Sequence, residues 1–305
     1  MRGLRLFLGA GLFTAAVAFH PPGTGSAGEI AGNPAAKAPS PGLSLSVSNR
    51  TPSQGEPVTV EFVAGLPLDN SSVFWKGGSW PLRETSPGRY VGIVGVDLLH
   101  PPGPATLSVE AWRDGSRLSA VAELVVVRRA FPVQELTLPK RMTEFDDATL
   151  KRIREEARSL DDRLARVTIP ILWRTPFLPP VEEFRPENFG SRRVINGEER
   201  SPHAAVDVRL PEGTPVRSIA DGTVAFAGEQ FFGGRSVVVD HGGGVFSVYY
   251  HMKGFTVSEG QRVARGDTIG AVGATGRATG PHLHFGVRVP GGRIDPSLLF
   301  PLPAR

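Results

Sequence analysis

Residues 280–289 read GPHLHFGVRV. Side chains alternate between the faces of a β-strand, so His282 and His284 project from one side while Leu283 and Phe285 pack behind them. Glycine divides the rest of this region into runs of strand length: TPVRSIADGTVAFAG (214–228), SVVVDHGGG (236–244), FSVYYHM (246–252) and QRVARGDTIGAVG (261–273). Helix signals are nearly absent past residue 170. The pattern predicts an all-β unit built mainly from antiparallel hairpins.

Further groups suited to metal chemistry fall in the same unit. His203 and Asp207 stand in SPHAAVD (201–207), and His251 in YYHM (249–252). If SPHAAVD is extended, His203 and Asp207 share a face, and Tyr249 and His251 share one by the same rule. Neighbouring strands lie ~4.8 Å apart, so side chains from two or three of them can converge on one ion. Two imidazoles and a carboxylate suit zinc and leave a fourth position for water, whose pKa falls to about 7. A further histidine can then carry protons to a leaving amine. Each motif alone is weak, because a lone His on a strand is more often a hydrogen-bonded core residue. Four of the seven histidines and Asp207 within one β-rich unit together point to a metal site. His241, between a strand and a glycine turn, is expected to serve the turn. Gly273, Gly276 and Gly280 are expected in a loop beside the groove, Gly222 and Gly228 in plain turns, and Asp295-Pro296 in a turn that docks the C-terminus.

The whole chain has 305 residues, room for two compact domains with connectors. Net charge is +4 and the pI about 9.7. A mild basic excess suits a polyanionic partner, but no Lys/Arg block or aromatic-basic interleaving accompanies it, which excludes nucleic acid. The absence of cysteine excludes disulfides, thiolate ligands and a lipid-modified N-terminal cysteine. Arg2 and Arg5 precede an uncharged apolar run at 6–19 that ends in Ala16-Val17-Ala18. The run is short of the ~20 residues a membrane helix needs, so 1–19 reads as a cleaved signal peptide. The mature chain is then exported, periplasmic or secreted, with no integral membrane segment. Residues 20–42 are too poor in large apolar side chains to order themselves and read as a flexible tether.

Between 43 and 129 short alternating segments recur: LSLSV (43–47), VTVEF (58–62), SVFW (72–75), RYVGIVGV (89–96), ATLSVEAW (105–112) and VAELVVV (121–127). They predict a β-sandwich of immunoglobulin-like type. Residues 130–185 form a linker. Leu150, Ile153, Ala157, Leu160, Leu164 and Val167 place one apolar stripe on a helix at 146–167, expected to pack on a neighbouring domain. A Pro- and aromatic-rich strap follows at 169–185.

FGSRR (189–193), HAAVD (203–207), PEGTPVRSIADGTV (211–224), VVVDHGGG (237–244), YYHM, the long run 259–287 ending in GPHLHFGV, and IDPSLLF (294–300) resemble the M23 zinc metallopeptidases, the family of lysostaphin and the LytM-type peptidoglycan hydrolases. The resemblance implies an antiparallel β metallopeptidase domain over 186–300 and one zinc ion held by His203, Asp207 and His284. It places His251 and His282 beside the attacking water and the oxyanion, as proton carriers or hydrogen-bond donors. It implies an exported endopeptidase that cuts peptide stems or crossbridges of peptidoglycan, and leaves open which bond. Ala205 departs from the family, which usually has glycine there. The alternative is a non-catalytic regulator of this fold that binds cell wall or activates a separate amidase. Such relatives lack several ligands, and here none is missing. The β-sandwich offers a surface for a protein partner.

Overall fold

The computed structural model describes residues 43–300. The predicted signal peptide and tether lie outside the described residues. The chain is mainly β, with one α-helix among the described residues. The N-terminal region forms two four-stranded antiparallel sheets. One runs Ser44–Val47, Pro57–Val63, Arg89–Gly95, Arg83–Ser86; the other Gly78–Pro81, Asn70–Trp75, Gly103–Arg113, Ser116–Val126. Alternation decides what is buried: Val58, Val60 and Phe62 point inward and share a core with Val73, Trp75, Leu107, Val109 and Leu124. The short strands Gly78–Pro81 and Arg83–Ser86 complete the sheets without an apolar alternation to announce them.

The linker is more structured than an extended connector. Val133–Leu136 pairs in parallel with Arg192–Ile195, which forms a hairpin with Glu198–Arg200. The helix spans Asp147–Leu164 and opens where the Asp146 side chain accepts the Thr149 N–H at 2.8 Å. Its buried Leu160 and Leu164 pack on Val238, Phe246, Val248 and Tyr250 of the central sheet. Glu156 accepts the Phe231 N–H at 2.7 Å, and Arg163 donates to the Ala225 carbonyl at 2.7 Å. The helix ends before the stripe does, and Val167 is 45% exposed. Thr168 draws the chain away, its hydroxyl bonded to Asp240 and its carbonyl to the Gly243 N–H.

The central sheet has nine strands, all antiparallel to their neighbours. Its main path runs Val206–Val208, Leu283–Val289, Phe246–Phe255, Gly234–Asp240, Gly222–Gln230, Arg262–Val263. Tyr249, Phe285 and Val287 line the core on one face, and the helix covers part of the other. Gly228, expected in a turn, lies inside Gly222–Gln230 opposite Ser236. The Phe226 ring leaves no room there for a Cβ, which would meet it at 2.8 Å.

The sandwich is fastened to this sheet through polar groups. Arg293 donates to Asp97 through two side-chain bonds at 2.7 and 2.9 Å, and Arg129 pairs with Asp295 at 2.8 Å. Backbone bonds join Gly95 to Pro290 and Asp295 to Gly55, each at 2.7 Å. Asp295 also caps the 3-10 turn Pro296–Leu299.

Candidate metal centre

The site forms where Val206–Val208 joins the sheet. Asp207 lies directly across from His284 in that pairing, and His284 lies across from Tyr250 on its other side. Cross-strand partners share a face, so the three side chains are neighbours. His203 comes from the coil just before, tied down by a bond from its N–H to Ser191 O at 2.9 Å. Its Nδ1 faces the Asn188 carbonyl at 3.0 Å, a partner that can only accept. Nδ1 therefore carries the proton and Nε2 presents a lone pair to the cluster.

Three atoms converge there. His203 Nε2 is 3.0 Å from His284 Nδ1 and 3.4 Å from Asp207 Oδ1, and His284 Nδ1 is 3.0 Å from Asp207 Oδ1. Ligands of a tetrahedral ion with bonds of ~2.1 Å stand about 3.4 Å apart. The triangle is close to that size. At most one ring proton, on His284 Nδ1, is available to bridge these acceptors, so the donor set fits a cation.

His251 reaches the site by a distortion of its strand. Tyr249 lies opposite Val237 and Met252 opposite Arg235, which leaves Tyr250 and His251 facing Ser236 alone. His251 has a φ of 60°, an unusual value for a residue other than glycine. This bulge turns Tyr250 and His251 to the same side. The expectation that Tyr249 and His251 share a face is therefore overturned. Tyr249 packs on Phe285 in the core, while Tyr250 stacks on His284 with ring centroids 5.5 Å apart. The His251 ring lies 4.7 Å from that of His282 and 5.7 Å from that of His284. Its Nδ1 faces the Thr275 carbonyl at 2.9 Å, and His282 Nδ1 faces the Gly280 carbonyl at 2.9 Å. A carbonyl can only accept, so each Nδ1 carries a proton, and the tautomer this selects presents Nε2 as the acceptor. His282 Nε2 is 3.7 Å from Asp207 Oδ1.

The environment fixes the charge states. Burial opposes ionisation of Asp207, but hydrogen bonds and Coulombic attraction from His203 and His284 outweigh it and hold the carboxyl well below its usual range. Burial, reinforced by His203 and Arg193, lowers His284 to about 4. Burial and the two neighbouring histidines lower His251 to about 3. At neutral pH these two are uncharged imidazoles, the form that ligates metals and accepts protons. His241 lies apart from the site, fully buried, with Nδ1 on Asp221 O at 2.8 Å and Nε2 on the Ser247 hydroxyl at 2.7 Å.

A groove of about 630 Å³ opens over the cluster. The loop from Gly273 to His282 forms one side, closed at its base by the His282 N–H to Gly273 O bond at 3.1 Å. Gly276 has a φ of 71°, and a Cβ there would meet the Gly234 nitrogen at 2.3 Å, so a close approach of backbones requires glycine. Leu136, Leu138 and Met142 also form part of the lining. Sequence reasoning did not single out Asn188, Tyr250 or Thr275, which orient the histidines, nor Arg193 and Arg277 in the lining. The Tyr pair preceding His251 was the available signal for Tyr250.

Fold and cluster together define a mainly β protein whose His/Asp/His site opens to a groove. Residues 201–296 match Peptidase family M23. A solved peptidase M23 from Pseudomonas aeruginosa shares the fold with a TM-score of 0.64 at 28% identity, covering 82% of this chain and 95% of that one. The DD-carboxypeptidase/endopeptidase Mpg of Neisseria meningitidis serogroup B is 43% identical over 102 residues, which are 33% of this chain and 24% of Mpg. The peptidoglycan DD-endopeptidase ShyA of Vibrio cholerae is 41% identical over 109 residues, 35% of this chain and 25% of ShyA. The chain thus spans about a quarter of the length of these curated relatives.

Proposed function

We propose that this chain is an exported zinc metalloendopeptidase that hydrolyses peptide bonds in the stems or crossbridges of peptidoglycan. The observation that carries the reading is the triangle of His203 Nε2, His284 Nδ1 and Asp207 Oδ1 facing the groove, with two further histidine rings beside it. In this reading 43–129 is a β-sandwich domain, 130–185 a linker and 186–300 the metallopeptidase domain. His203, Asp207 and His284 hold one zinc. When bound, zinc supplies a Lewis acid for the scissile carbonyl and a water acidified to a pKa of about 7.

The chain's own residues do the rest. Asn188 O fixes the tautomer of His203, and Tyr250 backs the His284 ring. His251, its Nδ1–H held by Thr275 O, takes up the proton released as water attacks. His282 is held the same way by Gly280 O; once protonated, either ring donates to the oxyanion or to the leaving amine. The names of Mpg and ShyA support the peptidoglycan assignment. Export follows from that substrate and from the apolar run at 6–19, and no helix among the described residues is long and apolar enough to cross a membrane.

Metal analysis of the full chain purified without added metal tests the ligand assignment. About one zinc per wild-type chain and almost none in the His284→Ala variant are expected. Equal zinc in both would refute it.

A further inference from the structure

The groove is lined by five arginines, Arg193, Arg200, Arg209, Arg277 and Arg293, and by a single carboxylate, Asp207. Three of the arginines have carboxylate partners outside the metal cluster. Arg293 pairs with Asp97 at 2.7 Å, Arg200 with Glu198 at 2.6 Å and Arg209 with Glu187 at 3.6 Å. Arg193 stands 3.8 Å from Asp207 Oδ2, and Asp207 already serves two histidines. Arg277 differs from all of these. No ion pair involves it among the described residues. Its guanidinium lies 4.0 Å from the Phe232 ring centroid, and its hydrogen-bond contact is the Met142 carbonyl at 3.5 Å.

The side chain is half-buried, and burial together with the charges of Arg193 and Arg200 lowers its pKa to about 10. Holding a partly desolvated cation against two like charges costs free energy unless an anion joins them. The backbone fixes its position, since the Arg277 N–H donates to Phe232 O at 2.9 Å. Arg277 is on the same loop as His282, five residues before it, and both line the groove that opens over the metal cluster.

We propose that Arg277, with Arg193 and Arg200 beside it, forms a subsite for a free carboxylate on the carbon that bears the leaving nitrogen. The inference rests on the peptidase reading and extends it to substrate class. Two wall linkages carry that carboxylate: a crosslink from a D-alanyl residue to the amine of a diamino dicarboxylic acid, whose amine-bearing carbon also holds a carboxyl, and the bond to a C-terminal D-amino acid. An internal bond of a glycine bridge carries none. The subsite therefore selects the first two and is sensitive to amidation. A planar guanidinium binds a carboxylate through two parallel N–H···O bonds, which a carboxamide cannot accept in the same way.

The test uses the zinc-loaded full chain and five synthetic substrates: a crosslinked dimer with a free or an amidated diamino acid, a stem peptide with a free or an amidated C-terminal D-alanine, and a glycine-bridged peptide. The wild type is expected to cleave at least one free-carboxylate substrate with kcat/KM about 10- to 100-fold above its amidated partner. Which pair shows the difference identifies the source of the carboxylate. Arg277→Gln is expected to lower the free-carboxylate rate to that of the amide while leaving the amide rate unchanged, and Arg277→Lys to restore part of it. Equal rates on free and amidated substrates, or an equal loss on both in Arg277→Gln, would overturn the subsite while leaving the peptidase reading intact. Cleavage of none of the five by the wild type would overturn the peptidase reading and the subsite with it.

Discussion

The N-terminal sandwich and the histidine-bearing sheet are both antiparallel β, yet they bury different chemistry. Among the described residues of the sandwich, the buried polar side-chain groups are Ser71, the Trp75 indole N–H and the Tyr90 hydroxyl, which is bonded to the Leu68 N–H and Glu84. Val, Phe, Leu and Ala fill most of the rest of the core. Between 191 and 295 eleven polar or charged residues are buried, among them His203, His241, His251 and His284. Polar groups are costly to bury unless bonded, so their partners separate structure from function. His241, Ser247 and Tyr249 spend their bonds on one another and on backbone. His203 and His251 each spend one nitrogen on a carbonyl and direct the remaining lone pair toward neighbours that also accept. A core built for stability closes its polar bonds internally, and a core that carries a site leaves some open toward a groove.

The largest expected effect breaks that contrast on the side of the site. Asp207→Ala is expected to abolish peptide cleavage and to remove the gain in Tm that added zinc gives the wild type. That gain corresponds to about 4 kcal/mol at a thousandfold excess over Kd, and a zinc titration followed by thermal unfolding reads it. Next in size is a cavity in the sandwich. Phe62→Ala is expected to lower stability by about 3–5 kcal/mol in denaturant unfolding, with zinc content per folded chain unchanged. Leu160→Ala, at the helix contact with Val248 and Tyr250, is expected to lower stability by about 2–5 kcal/mol.

The smallest effect concerns acid. Burial lowers His241 to about 4, below the ~6.5 of an exposed imidazole. Its contribution is therefore fully present above pH ~6.5 and is lost as pH falls through the folded value. In the wild type this amounts to about 3 kcal/mol at most. His241→Asn, which can still donate to Asp221 O, is expected to flatten the stability profile between those limits. An unchanged profile would mean that this buried histidine does not titrate on unfolding.

Much of this was legible because the informative patterns are local. Glycine-bounded runs marked the strands of the central sheet, and the spacing in SPHAAVD and PHLH marked four of the five candidate residues. The stripe from Ile153 to Leu164 marked the helix and its buried side. What was not legible depends on distant partners or on a single dihedral angle. Val133–Leu136 is a strand because Arg192–Ile195, some sixty residues later, lies beside it. The side to which His251 turns was misjudged because one residue with φ of 60° reverses the alternation. Arg277 reads as one more loop cation until the fold places it over Phe232 in the lining of the groove. The helix end at Leu164 instead of 167 follows from the Thr168 bonds to Asp240 and Gly243, which no periodicity encodes.

Mass spectrometry of fragments released from purified peptidoglycan tests the central claim most directly, with the zinc-loaded full chain compared against the same chain after chelation. Peptide fragments released by the zinc-loaded chain, lost on chelation and restored by zinc, are the result this account predicts. Fragments that persist without metal would contradict the assignment of His203, Asp207 and His284, and no release by the zinc-loaded chain would contradict the peptidase itself and leave a wall-binding regulator in its place.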